Sequence, residues 1–237
     1  MYAMSQESCM SLSSRYPQLQ ANPLFSHLSP EQQIRLQEQA EVVSLARGQS
    51  FHEQGDNARR FGFVLSGSLK LYRLTQDGQE KVFRILSSGD SLAEGMLFSI
   101  TTAHNYTAKA IESSEAVMFP IELYREIALS NTEITVDLLS QLAQMEQDSL
   151  ETLEILSFKK SIDRVVRYLL CQVLKSCQRC NAPQFELPAS KRLIASQLSI
   201  QPETLSRVLN QMEREGVLLL EGRRICILDL AKLLTHE

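Results

Sequence analysis

The sequence predicts an α+β fold, in which a jelly-roll-like β-barrel is followed by a long helix and then by a helix-turn-helix with a hairpin wing. Three observations support it: short β-rich runs from about residue 42 to 120, a stretch without Gly or Pro from 121 to 181, and two short amphipathic patterns near the C-terminus. We therefore expect a barrel domain over residues 1–120, a long helix over 121–157 and a third domain over 158–237.

The barrel is predicted from strand-like runs that alternate with turn residues. FGFVLSG, LKLYRLTQDGQ, KVFRILSSGD, YTAKAIE and EAVMFP are rich in the residue types that strands favour. Gly67, Gly78 and Gly89 recur every 11 residues, and two of them adjoin an Asp, which suits turns that need positive φ. Before the first strand, Ser29-Pro30 followed by Gln32 predicts the start of a short helix.

The long helix carries small and apolar residues in alternating steps of four and three, which is the spacing of a coiled-coil seam. The six seam positions are Leu138, Leu142, Met145, Ser149, Thr152 and Leu156. Two interpretations stay open: the helix pairs with a second copy of the chain to form a homodimer, or it packs on its own barrel.

The last fifty residues have the spacing of a winged helix-turn-helix. A helix over 189–197 and a second one beginning at Pro202 are joined by Leu198-Ser199-Ile200, and Ala195 supplies the small side chain that close helix packing needs. Pro is acceptable at the first position of a helix. The run VLLLEGRRICILD then predicts a hairpin that turns at Glu221-Gly222.

One face of the second of these helices groups three polar side chains, Glu203, Ser206 and Arg207, opposite an apolar stripe. In a helix-turn-helix the second helix enters the major groove of DNA, where Arg matches guanine, Glu matches cytosine and Ser contacts either a base or a phosphate. The alternative is that Glu203 and Arg207 form a surface salt bridge. Candidate phosphate contacts are Lys191, Arg192, Thr204, Arg214, Arg223 and Arg224.

Charge is divided unevenly along the 237-residue chain, whose net charge is -4. Residues 158–237 carry 13 Lys+Arg against 8 Asp+Glu, while residues 1–157 carry 11 against 20. A basic C-terminal part favours a nucleic-acid partner. No apolar run is long enough to span a bilayer, and five cysteines fit a reducing compartment, so we expect a cytoplasmic protein without a membrane partner.

Motifs for other function classes are absent from the sequence. There is no P-loop, dinucleotide fingerprint, nucleophile elbow or H-E-x-x-H, and the four His lack the spacing of a cupin metal site, so we do not expect an enzyme. A nucleotide-sensing binding module would leave the helix-turn-helix unexplained. Cys171, Cys177 and Cys180 have zinc-like or redox-like spacing, but they also fit three unrelated thiols.

The stretches SGSLKLYRLTQDGQE, GDSLAEGMLF and ETLSR, together with their order, make residues 24–232 resemble the CRP/FNR family of bacterial regulators. The resemblance implies a cyclic-nucleotide-binding-like barrel, a homodimer, RNA polymerase as a partner and an effector that controls binding to palindromic double-stranded DNA. It also implies a half-site similar to TTGAT, mirrored as ATCAA, with Glu203 and Arg207 at the C·G pair.

Three effector chemistries occur in that family. No iron-sulfur cluster is expected, because Cys9 is the only cysteine before residue 171. The cyclic-AMP form needs Arg-Ser where this chain has His104-Asn105. The third form is haem with nitric oxide, in the branch of the dissimilatory nitrate respiration regulator, which LYRLTQDGQEK, DRVVRYLL and LSIQPETLSR resemble.

The predicted effector pocket contains Glu94, Met96, His104, Asn105 and Tyr106. A haem iron would take an imidazole from among His27, His52, His104 and His236, and the sequence leaves that ligand, and any metal ligand, unassigned. The alternative is another small ligand in the same pocket.

Overall fold

The computed structural model describes Tyr16, Leu19, residues 22–176 and residues 183–235, without the side chains of residues 175 and 176. The interpretations that involve Cys9, Cys177, Cys180 and His236 lie outside the described residues. The chain divides into two compact units, one of residues 1–73 and 84–145 and the other of residues 74–83 and 146–237.

Two short helices precede the barrel, α1 (Pro23–Ser26) and α2 (Pro30–Glu38). The predicted start at Ser29-Pro30 is confirmed: the Ser29 hydroxyl accepts from the Gln32 backbone N–H, and the Gln32 side chain accepts from the Ser29 backbone N–H. This reciprocal capping satisfies two N–H groups that have no partner within the helix.

The predicted jelly-roll-like barrel is confirmed as two four-stranded sheets. One has the order β1-β8-β3-β6 and the other β2-β7-β4-β5. The strands are β1 (Glu41–Leu45), β2 (Ser50–His52), β3 (Arg60–Ser66), β4 (Ser68–Leu74), β5 (Glu80–Ser87), β6 (Ser91–Leu92), β7 (Thr107–Ala110) and β8 (Ser114–Pro120). A short 3-10 helix, Glu94–Met96, follows β6.

The glycines at the predicted turns have the backbone conformation that the turns require. Gly67, Gly78 and Gly89 have φ of 76°, 73° and 92°. At Gly67 a side chain would also collide with the Ser113 carbonyl and with Ser114, so both the turn and the close approach of β8 depend on glycine.

The core of the barrel unit is rich in aromatic rings that meet edge to face. Phe25 lies 5.0 Å from Phe63, and Phe61 lies 4.8 Å from Tyr124, each pair measured between ring centroids. The Tyr124 hydroxyl donates to the Leu24 carbonyl at 2.8 Å, so its buried oxygen is satisfied. This core ties α1 to the sheets.

The single helix predicted over 121–157 is two helices in the structure, α3 (Ile121–Ser130) and α4 (Thr132–Ser157). Asn131 between them is extended, with φ -134° and ψ 109°, and its side chain accepts from the Glu133 backbone N–H at 3.0 Å. Asn in this position caps a new helix, which explains the break without Gly or Pro.

The seam predicted along this region is wrong at its first position. Leu138 is 2% exposed and belongs to the core of its own barrel unit, and Leu142 packs against that core while half-buried. A side chain already covered by its own chain has no surface left for a second copy. Met145, Thr152 and Leu156 are half-buried and Ser149 is exposed, and their part in dimerisation stays a prediction.

The second unit contains the predicted winged helix-turn-helix and further elements around it. Its elements are α5 (Ser161–Ser176), β9 (Gln184–Glu186), α6 (Lys191–Gln197), α7 (Pro202–Arg214), β10 (Leu218–Glu221), β11 (Arg224–Ile227) and α8 (Leu230–Thr235). Strand β9 extends the wing to a three-stranded antiparallel sheet of order β10-β11-β9. Across the described residues, every helix is too short or too polar to pass through a bilayer.

Candidate DNA-binding surface and effector pocket

The turn between α6 and α7 sets the position of the second helix. Ser199 in this turn has φ of 56°, the left-handed conformation, and the Ile200 N–H donates to the Ala195 carbonyl at 3.0 Å. Ala195 is fully buried, as close packing of two helices requires. Pro202 occupies the first turn of α7, where its missing N–H leaves nothing unpaired.

Helix α7 has one buried face and one exposed face, as its sequence predicts. Its buried residues are Leu205, Val208, Leu209 and Met212. Opposite them, Glu203 and Arg207 are exposed and Ser206 is half-buried. The core of the second unit therefore holds α7 by its apolar stripe and leaves the base-contact trio, Glu203, Ser206 and Arg207, at the surface.

The base-contact trio lines an open cleft of about 740 Å³ along α7, together with Pro202, Asn210, Glu213 and Arg214. Within the part of the chain that the structure describes, no ion pair joins Glu203 to Arg207, so the alternative of a surface salt bridge finds no support. A carboxylate acceptor, a hydroxyl and a guanidinium donor thus face outward, which is the set of groups that base edges of a C·G pair would match.

The six predicted phosphate-contact residues all lie on the second unit, in or beside α6, α7 and the wing. Arg192, Arg214, Arg223 and Arg224 are exposed, whereas Lys191 and Thr204 are half-buried. Arg223 donates to the Leu187 carbonyl at 2.8 and 3.1 Å and pairs with Glu186 at 3.4 Å, so it also holds β9 to the wing. Contacts of these residues with phosphate stay a prediction.

The wing is fixed to α7 by a side chain. Glu213, in the last turn of α7, accepts from the Leu220 backbone N–H of β10 at 2.9 Å. This hydrogen bond gives Glu213 a structural role, although its side chain borders the cleft. No local pattern predicts this bond, because it joins two elements across a turn.

The predicted effector pocket brings together Glu94 and Tyr106, and the structure adds Arg84 from β5. Glu94 is 4% exposed, and its carboxylate lies 3.4 Å from the Arg84 guanidinium. Burial, then the Glu94 charge, raises the pKa of Tyr106 to about 12, against the opposing effects of Arg84 and the Ala93 backbone. Asn105 is exposed, and its carbonyl accepts from Arg73, while Met96 packs against the barrel core.

His104, from the predicted pocket, stacks on His52, which sequence spacing did not connect to it. The two rings are 3.5 Å apart between centroids and 6° from parallel. Burial, then the neighbouring His104, lowers the pKa of His52 to about 3, outweighing the Asp56 carboxylate and the Tyr106 backbone. Burial also lowers the pKa of His104, against Asp56. Both imidazoles are therefore neutral at pH 7.

Comparison with known proteins finds a family model that matches each of two parts of the chain. Residues 42–131 match the model of the cyclic nucleotide-binding domain, and residues 163–235 match that of the Crp-like helix-turn-helix domain. The crystal structure of DNR from Pseudomonas aeruginosa is 35% identical, covers 96% of this chain and 100% of that one, and has a TM-score of 0.52. The chain belongs to the CRP/FNR family.

Two further relatives of this CRP/FNR regulator support the family and the fold. The transcriptional activator protein FnrA of Stutzerimonas stutzeri is 26% identical over 186 residues, which is 78% of this chain and 75% of that one. The structure of FixK2 from Bradyrhizobium japonicum, at 22% identity, has a TM-score of 0.72 over 84% of this chain and 97% of that one, and it supports the fold. The protein is a DNA-binding transcription regulator, in a family without enzymatic activity.

Proposed function

We propose that this CRP/FNR regulator acts as a homodimer that binds a palindrome similar to TTGAT-n4-ATCAA, and that an effector in the barrel controls this binding. The observation that carries the DNA part is the cleft along α7, where Glu203, Ser206 and Arg207 stand together at the surface. Two copies of this helix, one from each subunit, would contact the two half-sites.

The homodimer is supported by an apolar stripe on α4 that differs from the one expected from sequence. Val136, Leu139, Leu150 and Leu153 are between 53% and 63% exposed. With Ala143 and Glu146, both exposed, they follow alternating steps of three and four residues, so they share one face of the helix. This exposed heptad stripe is the surface that we assign to a second copy of the chain.

For the effector we propose haem and nitric oxide, in anaerobic or nitrogen-oxide metabolism. The residues fit in one respect: His52 and His104 are buried imidazoles whose nitrogens lack well-formed hydrogen bonds, so one of them would hold the haem iron. When bound, ferrous haem would supply a site for a diatomic gas. Similarity to DNR and to the activator FnrA supports a regulator that works with RNA polymerase.

A second candidate effector is an anionic small molecule such as a cyclic nucleotide. The sequence lacks the expected Arg at residue 104, but in the structure Arg84 of β5 lies beside Glu94, so a guanidinium is present in the predicted pocket. The match of residues 42–131 to the cyclic nucleotide-binding domain also favours it. Titration with cyclic AMP, followed by duplex binding, separates it from haem.

The experiment that tests the DNA part compares two duplexes by fluorescence anisotropy at several salt concentrations. One carries TTGAT-n4-ATCAA, and the other has the same composition with both half-sites scrambled. We expect tighter binding to the palindrome, with two chains per duplex, and weaker binding to both duplexes as salt rises. Equal affinity for the two duplexes, or one chain per duplex, would refute the proposal.

A further inference from the structure

The histidine pair, His52 and His104, lies in the barrel unit. Packing alone does not explain why two imidazoles are buried there. His52 ends β2, His104 lies shortly before β7, and their side chains are only 7% and 6% exposed. Among the described residues, neither nitrogen of His52 nor Nδ1 of His104 has a hydrogen-bond partner of normal geometry. The Tyr106 backbone lies close enough to His52 to act on its pKa. Three buried polar atoms thus lack a well-formed hydrogen bond in one place.

Such an arrangement is costly for a purely structural pair. Buried polar groups in native proteins almost always have partners, because an unpaired one loses its hydrogen bonds to water without compensation. Ring pairs also favour offset or edge-to-face contact over a near-parallel sandwich. Two phenylalanines would fill the same space without leaving any nitrogen unpaired, so the imidazoles call for a ligand that uses their lone pairs.

Neutral imidazole nitrogen is a preferred ligand of iron, cobalt, copper and zinc. A metal ion lies in the plane of the imidazole that binds it, and the planes of this pair are nearly parallel and 3.5 Å apart. The rings therefore cannot bind one ion together as they stand. One ring can coordinate while the other stacks on it, or one ring turns to make a second bond.

Two groups beside the pair bear on a metal ion, the Asp56 carboxylate and the Tyr106 ring. In the described part of the chain, no group of three or more His, Cys, Asp or Glu is placed to hold a metal ion. The Asp56 carboxylate acts electrostatically on both rings and favours a cation there. The Tyr106 ring closes the side of the pair, 5.4 Å from His52. External ligands would complete the coordination.

We propose that the histidine pair binds a transition metal through imidazole nitrogen. This inference deepens the effector part of the proposed function and rests on it, since the iron of haem is one source of such a metal. A free divalent ion is the other source, and it would use the same nitrogens.

The test uses the full-length protein and the variants His52→Phe, His104→Phe and the double replacement. Phe keeps the stacked rings and removes the lone pairs, so we expect the melting temperature to stay unchanged or to rise. The control is Arg47→Ala, since Arg47 is exposed on the barrel surface and lies outside the predicted effector pocket. One arm adds ferrous haem under anaerobic conditions and follows the Soret band; the other adds Co²⁺ and follows its visible absorption.

We expect stoichiometric uptake by the wild type and by the control, with affinity reduced about 10- to 100-fold, or the band shifted, in at least one Phe variant. A response to haem identifies haem as the source. A response to Co²⁺ alone keeps the metal site and removes haem from the proposed function. Failure of both probes to bind, or binding that is equal in all variants, overturns the inference. Duplex binding, measured on the same samples, tests the DNA part separately.

Discussion

Arg207 shows how the neighbours of a side chain on an exposed helix face bear on its predicted role. Its guanidinium is exposed in the cleft and makes no ion pair with Glu203 in the described structure. Five donors in a fixed plane match the O6 and N7 acceptors of guanine. A guanidinium that was already paired along the helix would first have to break that pair.

Arg207→Ala is therefore predicted to weaken binding to the palindrome by roughly 1–3 kcal/mol and to relax the preference for G at one position. Competition anisotropy with duplexes altered at each half-site position measures both effects. Arg224→Ala, on the wing, serves as the matched control and should lower affinity similarly for every sequence. A uniform loss in Arg207→Ala as well would contradict its contact with a base.

The environment of Tyr124 makes the free energy of unfolding depend on pH. Burial, then the Asp137 charge, raises the pKa of its phenol, which donates a hydrogen bond to the Leu24 carbonyl. Below pH 10 the stabilisation that comes from this raised pKa is fully present. Above pH 10 the phenol ionises in the unfolded chain but stays neutral in the folded one, so the free energy of unfolding falls as pH rises.

Tyr124→Phe is predicted to cost about 1 kcal/mol at pH 7, for the lost hydrogen bond, and less at higher pH. The measurement is urea unfolding at pH 7, 9 and 10.5 for both proteins. The stability difference between wild type and variant should shrink as pH rises. A difference that grows with pH would show that the phenol is not held neutral by the fold.

At the scale of elements, α4 carries the surface that we propose for the pairing of two chains. The exposed heptad stripe places four large apolar side chains and Ala143 beside one carboxylate, Glu146. In a parallel pair the two Glu146 side chains would meet, and a charged group at such a position weakens the seam.

Two replacements on this stripe should therefore act in opposite directions. Leu150→Asp is predicted to raise the dimer dissociation constant roughly 10- to 100-fold, and Glu146→Leu to lower it. Sedimentation equilibrium measures both constants. Leu129→Asp is the control, because Leu129 is 71% exposed on α3, off the stripe. The assignment of the seam would be refuted if Leu150→Asp and the control behaved alike.

Strand β3 depends on Gly62 because strand β8 approaches its backbone closely. A Cβ on Gly62 would collide with the Val117 carbonyl and the Met118 sulfur, whereas one on Gly95 would meet open space without a strained φ. Gly62→Ala is predicted to lower the free energy of unfolding by roughly 1–3 kcal/mol. Gly95→Ala should be near neutral in the same denaturant titration, and equal effects would contradict the packing argument.

For the whole molecule, the separation of charge makes binding to DNA a property of the C-terminal part. The acidic N-terminal part adds no attraction for phosphate, so the salt dependence should come from the basic residues around α6, α7 and the wing. Arg192 and Arg224 are the exposed candidates outside the cleft.

The double replacement Arg192→Ala with Arg224→Ala is predicted to reduce the slope of log affinity against log salt by about 2. Anisotropy titrations between low and moderate salt give the slope, and Arg47→Ala, on the barrel surface, should leave it unchanged. An unaltered slope in the double variant would place the phosphate contacts elsewhere.

The sequence by itself determined the features that depend on local spacing. Strand runs between glycines predicted the strands of a jelly-roll-like barrel, and the three- and four-residue steps in α7 predicted which face is buried, because periodicity reports the face of an element directly. The base-contact trio followed from that face. The start of α2 at Ser29-Pro30 was predictable as well, because its cap is formed by residues that are close in sequence.

Only the tertiary structure decided what covers each face and which distant residues meet. Leu138 has the spacing of a seam but is covered by its own barrel, since periodicity shows that a side chain is buried without showing against what. His52 and His104 come from separate segments, and Arg84 reaches Glu94 from another strand, through contacts that no local pattern encodes. The exposed face of α7 was thus predictable from sequence, whereas the contacts within the predicted effector pocket depended on the folding of the barrel.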